Sequence, residues 1–419
     1  MRKILSAVII DPNKDEHDYS KVKTLKKYQY DEEKFDLLVL ESTEYILEEL
    51  NGFRGYDCIV TIGDVDFGDL QTASFEVRKR WVHLNSFNPD EIVSAIISTF
   101  LGNIGRERKQ GEKVFSVFTC AFNTDRDVFM RVYHSLCRQT YPNWNWWILD
   151  DSTNDNVETY VKVLNDERIT MIKNFTNHGN IGFNKHVIAM ACDGDYLVEM
   201  DHDDELTPDC FEVLNHAFEV CPDTDFVYSD CMEVLNGKVL LYGKEGERWG
   251  YGEGWDRQEN VMGTDYTICV SPYITPHSIR SIHLQPNHVR CWKKDFYHRI
   301  GGHETSLSVL DDMEILIRTF LYGEMTKVNK ILYIQHEGEG ERENATAGTA
   351  QSERFAEIQR TDEYLKWKYD QQVHDRIIEL GFEDVAWNDE DGCSFLWSEH
   401  EPGVAMCNVI NVEDENAKV

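Results

Sequence analysis

The sequence predicts an α/β protein built around a largely parallel sheet, and three observations predict it. Between residues 114 and 228, short runs rich in β-branched and aromatic residues alternate with stretches of helical apolar spacing. Residues 1–104 repeat that alternation on a smaller scale. The chain is 419 residues long, with 41% hydrophobic and 12% aromatic residues, which is enough to bury two or three separate cores.

In chain order, Ala7–Ile10, Asp36–Leu40, Cys58–Ile62 and Trp81–Leu84 read as strands, with helical patterns over Thr43–Leu50 and Asp90–Leu101. This small α/β domain has no glycine-rich phosphate loop, so no chemistry is assigned to it. Residues 105–113 are charged and aperiodic, as a linker is. Strands then follow at Val114–Phe118, Trp146–Leu149, Ile169–Ile172, Tyr196–Met200 and Phe226–Tyr228. The helices between them span Val128–Leu136, Val157–Leu164, Phe183–Ala191 and Pro208–Val220. The last has Thr207 as N-cap and Pro208 at its first position. Residues 241–290 read as an aromatic and glycine-rich loop. Residues 346–419 form an extension that is helical over Gln351–Leu380, with a short strand at Ser394–Trp397.

The chain carries 42 basic and 76 acidic residues, a formal charge of −34. Such a surface repels phosphate backbones and anionic headgroups, which argues against nucleic-acid or membrane-surface binding and leaves anionic substrates in need of a cation. No stretch is long and apolar enough to span a bilayer, and the N-terminus has no secretory pattern, so a cytoplasmic location is expected. The 11 cysteines include no CxxC pair and read as small buried hydrophobes. The sequons at Asn174 and Asn344 then have no consequence. Nothing in the pattern fixes the oligomeric state.

Ligands of an open parallel sheet sit beyond the carboxyl ends of its strands, and three of the five strands run into acid. These are Asp150-Asp151-Ser152-Thr153, Asp201-His202-Asp203-Asp204 and Ser229-Asp230. A single such cluster is ordinarily a loop or a helix cap. Several on one rim repel one another unless a hard cation neutralises them, and Mg²⁺ or Mn²⁺ completes its shell with substrate phosphate oxygens. Later, Met313, Leu316, Ile317 and Phe320 mark a helix that begins near Asp311, setting Asp311 and Asp312 at the positive end of its dipole.

Over residues 113–340 these segments, in order, resemble the family 2 glycosyltransferases of GT-A fold. Phe115–Asn123 looks like the family's opening strand and turn, and Gln139–Pro142 with Ile148–Asp155 like its double-aspartate loop. Gly182–Lys185 and Gly194–Asp204 resemble its approach to the DxD motif. Gly301-Gly302, Asp311–Glu314 with Arg318, and His336 resemble its later acidic motif and histidine. The resemblance implies a Rossmann-like mixed sheet with flanking helices and a metal-dependent, inverting hexosyl or N-acetylhexosaminyl transfer. The donor would be a nucleotide sugar, UDP-linked, and the acceptor a hydroxyl of a glycan.

It also implies roles. Asp151 would hold the base, with Thr119 and Ala121 lining its pocket. Asp203 and His336 would hold Mn²⁺ or Mg²⁺, with Asp201 and Asp204 nearer the ribose or donor sugar and Asn184 and Lys185 near the diphosphate. Asp312 would be the general base, with Asp311 beside it where the family usually has Glu. Apart from the resemblance, strand alternation turns His202 away from the site. Trp249, Tyr251 and Trp255 suit an acceptor platform, and His288 and Arg290, before the Gly-Gly turn, are expected to face the same cleft. Two other readings fit less well. A nucleotidyltransferase would want glycine and lysine after its first strand, where Phe118–Asp125 has neither. A non-catalytic carbohydrate-binding scaffold would have no use for intact Asp203 and Asp312.

Overall fold

The computed structural model describes residues 5–22, 35–41, 58–65, 81–96 except 90 and 94, 111–241 except 165, 175–176, 178 and 236, 256–337 except 276–277 and 281–285, 349–382 and 405–412. The chain divides into two compact units, residues 1–106 with 134–138, and residues 107–133 with 139–419.

In the first unit, β1 (Leu5–Ile10), β2 (Phe35–Leu40), β3 (Cys58–Ile62) and β4 (Trp81–Leu84) form a parallel sheet in the order β2-β1-β3-β4. Strand alternation sends Ala7, Ile9, Cys58 and Val60 to one face, against Ile92, Val93 and Ile96, and Val8, Ile10 and Ile59 to the other. The expected helix over Thr43–Leu50 lies outside the described residues.

The second unit has a ten-stranded mixed sheet. Its elements begin with β5 (Phe115–Ala121), α1 (Arg126–Cys137), β6 (Trp144–Asp150), α2 (Asn156–Leu164), β7 (Ile169–Lys173), α3 (Ile181–Ala191), β8 (Tyr196–Glu199), β9 (Glu205–Leu206), α4 (Cys210–Val220), β10 (Phe226–Leu235) and β11 (Lys238–Val239). A separate two-stranded hairpin, β12 (Asp256–Val261) and β13 (Thr264–Cys269), follows. Then come β14 (Arg290–Lys293), α5 (Lys294–Arg299), α6 (Asp311–Tyr322), β15 (Met325–Glu337), α7 (Thr349–Glu379) and β16 (Asn408–Ile410).

The main path is β16-β15-β10-β14-β8-β5-β6-β7, with β14 antiparallel to both β8 and β10. Chain order runs outward from β5 through β6 to β7, then returns to the other side of β5 at β8. The crevice beyond the carboxyl ends of β5 and β8 is therefore the switch point where such sheets bind ligands. Beneath it lies a core that includes Phe118, Trp292, Tyr297, Met313, Leu316 and Phe320.

Four sequence expectations change, and one is the helix expected from Pro208, which starts at Cys210 with Asp209 rather than Thr207 before it. The strand starting at Phe226 does not end at Tyr228 but continues to Leu235, so Asp230 is buried within it rather than set on the rim. Lys327 Nζ at 2.9 Å and Arg257 Nη2 at 2.7 Å neutralise its carboxylate, and the Ser271 N–H donates to it at 2.9 Å. Part of the expected 241–290 loop is the β12–β13 hairpin. Its two-residue turn places Met262 and Gly263 at φ of 53° and 83°, a mirror-image turn that matches the twist of its strands. The helix of the extension starts at Thr349 and ends at Glu379, while the proposed strand at Ser394–Trp397 lies outside the described residues.

Candidate active site

The end of the crevice beyond β6 is organised by Asp151. Its carboxylate accepts from Asn174 Nδ2 (2.7 Å), Asn184 Nδ2 (3.0 Å) and the Gly179 N–H (3.1 Å). The Asp151 N–H donates to the Ala121 carbonyl at 2.9 Å. Asp151 thus ties the end of β6 to the end of β5 through its backbone N–H, and to the residue after β7 and the start of α3 through its buried carboxylate. Asn184 is buried and is held in turn by Asn174. Thr119 is buried, with its hydroxyl taken by the Trp146 indole at 2.9 Å.

After β8 the chain turns through Asp201–Asp204. The Asp201 carboxylate is 41% exposed. His202 Nδ1 lies 3.0 Å from the Thr124 hydroxyl. Burial pushes the Asp203 carboxyl up in pKa and Asp201 adds to this, against the pull of His202. Both oxygens of buried Asp204 have protein donors, the Tyr333 hydroxyl at 2.7 Å and the His336 N–H at 2.8 Å. Burial first, and then Asp203, push its carboxyl well up. The His336 ring is buried, with Nε2 2.9 Å from Glu205 Oε1.

The centre of the site is a run of alternating charges. Lys185 Nζ lies 3.2 Å from Asp311 Oδ2 and 2.5 Å from Glu199 Oε1. Glu199 Oε1 is 3.7 Å from Arg290 Nη1, and Arg290 Nη2 is 3.1 Å from Asp312 Oδ2. The run leaves one end of α6 at Asp311 and returns to it at Asp312. Glu199, Lys185, Arg290 and Asp311 are buried, whereas the Asp312 side chain is 39% exposed. Burial raises the Asp312 carboxyl in pKa, but Arg290 and then Lys185 outweigh it and hold Asp312 below the ordinary carboxylate range. For Asp311, burial with Asp312 and Glu199 outweighs Lys185, pushing it up to about 6.

Two histidines close the site. His303 is buried, and burial pushes its pKa down to about 3, so it is neutral at physiological pH. The Tyr297 oxygen accepts from the His303 backbone N–H and lies 2.6 Å from Nδ1. In the tautomer in which the tyrosine hydroxyl donates to Nδ1, the ring proton sits on Nε2. That Nε2 lies 4.0 Å from Glu199 Oε2 and 3.8 Å from Asp311 Oδ2. His288 is buried with neither ring nitrogen hydrogen-bonded, and its Nε2 is 4.0 Å from Asp201 Oδ2. Glu199, Asp201 and His288 each offer a ligand atom, all within 4.8 Å of one another.

The structure thus gathers Asp201, Lys185, Arg290, Asp311 and Asp312 into one cluster, which Asn184 links to Asp151. His336 instead serves Glu205 and Asp204. Trp249, Tyr251 and Trp255 lie outside the described residues. Sequence reasoning missed Glu199 and His303. The available signal was a glutamate ending a strand, Tyr196–Glu199, whose four side chains are all buried, two residues before the aspartate turn. A charge there requires partners.

Residues 116–269 match the family model for glycosyl transferase family 2. The chain is 27% identical over 239 residues to WcaA of Escherichia coli K12, named for glycosyl transfer in colanic acid biosynthesis, covering 54% of this chain and 74% of that one. It is 25% identical to an uncharacterized glycosyltransferase of Haemophilus influenzae, over 49% of this chain and 61% of that one. TarS 1–349 of S. aureus in complex with UDP-GlcNAc aligns with a TM-score of 0.44 at 17% identity, over 64% of this chain and 73% of that one. The chain spans less than two thirds of the Haemophilus protein, and 36% of a further TarS chain.

Proposed function

We propose that the chain, whose residues 116–269 match the model for glycosyl transferase family 2, moves a sugar from a UDP-linked donor to a hydroxyl of a carbohydrate acceptor, with inversion and with Mn²⁺ or Mg²⁺. One observation carries the reading: the charge run buries four of its five members and leaves one carboxylate, Asp312, open at the mouth of the switch-point crevice.

Asp312 is the general base. Arg290 keeps it ionised, so it can take the acceptor hydroxyl proton as that oxygen bonds to the anomeric carbon and the bond to UDP breaks. A single displacement inverts the anomeric centre. Asp151 and Asn184 position the nucleotide end. A divalent cation fits the residues present: the His288 nitrogens are buried without hydrogen bonds beside the exposed Asp201 carboxylate. Asp201 and His288 would hold it, with Asp203 the further carboxylate of the same turn, a set of oxygen and imidazole donors suited to Mn²⁺. When bound, the ion supplies charge stabilisation to the diphosphate leaving group. His336 is assigned a structural part, because Glu205 already occupies its Nε2.

The domain reading proposed with this function keeps residues 114–345 as the transferase and residues 1–104 and 346–419 as accessory parts. Among the described residues, no helix is long and apolar enough to cross a membrane. Calorimetric titration with UDP, with and without Mn²⁺, followed by a sugar-nucleotide panel, tests the reading. Metal-dependent binding and release of UDP are expected, and no binding of any nucleotide would sink it.

A further inference from the structure

We propose that Glu199 is a positioning residue for the transfer reaction, holding Arg290 to a single contact with Asp312 so that the base keeps its place and one oxygen that the guanidinium does not occupy. The inference rests on the proposed function for its kinetic consequence, but its geometry stands alone.

Arg290 stands between two carboxylates. Its Nη1 faces Glu199 Oε1 at 3.7 Å and its Nη2 meets Asp312 Oδ2 at 3.1 Å. Its Nε donates to the Pro286 carbonyl at 3.0 Å, which fixes the plane of the guanidinium. Strand pairing sets the contact, because Arg290 on β14 sits directly opposite Glu199 on β8. A guanidinium prefers two parallel bonds to one carboxylate. A competing anion on its other side draws Nη1 away and, with the Pro286 carbonyl, leaves it a single contact with Asp312, whose Oδ1 accepts the Met313 N–H at 2.8 Å. Glu199 is that anion.

Lys185 balances the charge that Glu199 brings into the core and ties it to Asp311. Glu199 Oε2 makes no hydrogen bond and faces Nε2 of neutral His303 at 4.0 Å. The carboxylate is thus bounded by Lys185 and Arg290 on two sides and by the His303 and His288 rings, the latter's Nε2 at 3.9 Å from Oε1. Removing its charge leaves two buried cations beside each other and lets Arg290 turn its whole fork onto Asp312. That would pull the carboxylate out of line and occupy the oxygen that must take the proton.

The test uses the full chain and its Glu199→Gln and Glu199→Asp variants, with UDP-N-acetylglucosamine and Mn²⁺ as probe and water as acceptor. In Glu199→Gln, kcat is expected to fall by about a hundredfold, the effect of misplacing a reacting group by about an ångström, while KM stays within about twofold. Glu199→Asp keeps the charge and is expected to recover part of the loss. A wild-type kcat in Glu199→Gln overturns the proposal, and so does a kcat that falls only with the fraction of folded protein. If Glu199→Gln does not fold, Glu199→Asp carries the test, and wild-type kcat there overturns it. A crystal structure of the folded variant gives a readout independent of turnover. Arg290 bridging both Asp312 oxygens supports the proposal, and an unmoved Arg290 overturns it. If Arg290 moves but the wild-type chain turns over no sugar nucleotide, the proposed function fails and the positioning contact stands.

Discussion

Arg290 and Asp312 come from different elements, the start of β14 and the start of α6, and meet at 3.1 Å over the switch-point crevice. Asp312 is therefore ionised down to low pH, since Arg290 holds it below the ordinary carboxylate range. Asp312→Asn should lower kcat by about 10²–10⁴, the usual worth of a general base, and leave UDP affinity unchanged. Steady-state kinetics beside calorimetry checks both. Transfer at wild-type rate would remove Asp312 from the mechanism.

Asp311 behaves oppositely, although it is the next residue. With its folded pKa near 6 and its ordinary value at 3.8, the folded chain holds this proton more tightly than the unfolded chain does. Its contribution to stability is therefore greatest below the lower value and declines as pH rises through that window. Asp311→Asn lacks this decline. In chelator-treated protein, the melting temperature of Asp311→Asn relative to wild type should rise between about pH 4 and pH 6 and level off above. A flat difference would contradict the burial of an ionisable Asp311.

The two histidines separate the metal reading from its sequence-based alternative. His288→Ala should weaken Mn²⁺ binding by about 10–100-fold, because it removes a donor with no other hydrogen-bond partner. His336→Ala should leave Mn²⁺ binding near wild type and lower the melting temperature, because it strips Glu205 of its ring partner. Manganese titrations of both variants decide the matter, and the reverse order of effects would return the metal to His336.

At Gly182 the start of α3 packs so closely that an added Cβ would lie 2.4 Å from the Glu304 carbonyl and 2.7 Å from that of Leu307. Both are backbone atoms and neither can swing aside. Gly182→Ala should destabilise the chain by about 1–3 kcal/mol, the usual range for overpacking, as read from denaturant midpoints. An unchanged midpoint would show that this backbone yields.

Local signals made much of this legible in the sequence. The spacing of Met313, Leu316, Ile317 and Phe320 placed α6 and with it Asp312. The acid-ended strands located the rim, since strand period and capping residues are properties of neighbours in the chain. Asp230 misled for the converse reason. A Ser-Asp pair reads as a turn, and the partners that keep it in a strand, Lys327 and Arg257, lie far along the chain. Glu199 escaped notice because its meaning also lies in distant partners, Lys185, Arg290 and His303. Nor does one-dimensional spacing distinguish a histidine available to a ligand, His288, from one already engaged, His336.

The insertion of β14 between β8 and β10 carries a consequence in time. Arg290 and Glu199 are brought abreast by pairing segments about ninety residues apart, across the whole of α4 and the β12–β13 hairpin. Such distant pairings close slowly and late compared with helices formed from neighbours. A refolding chain should regain its helical circular dichroism before it regains turnover, because the reactive charges meet only when that inserted strand has found its alignment.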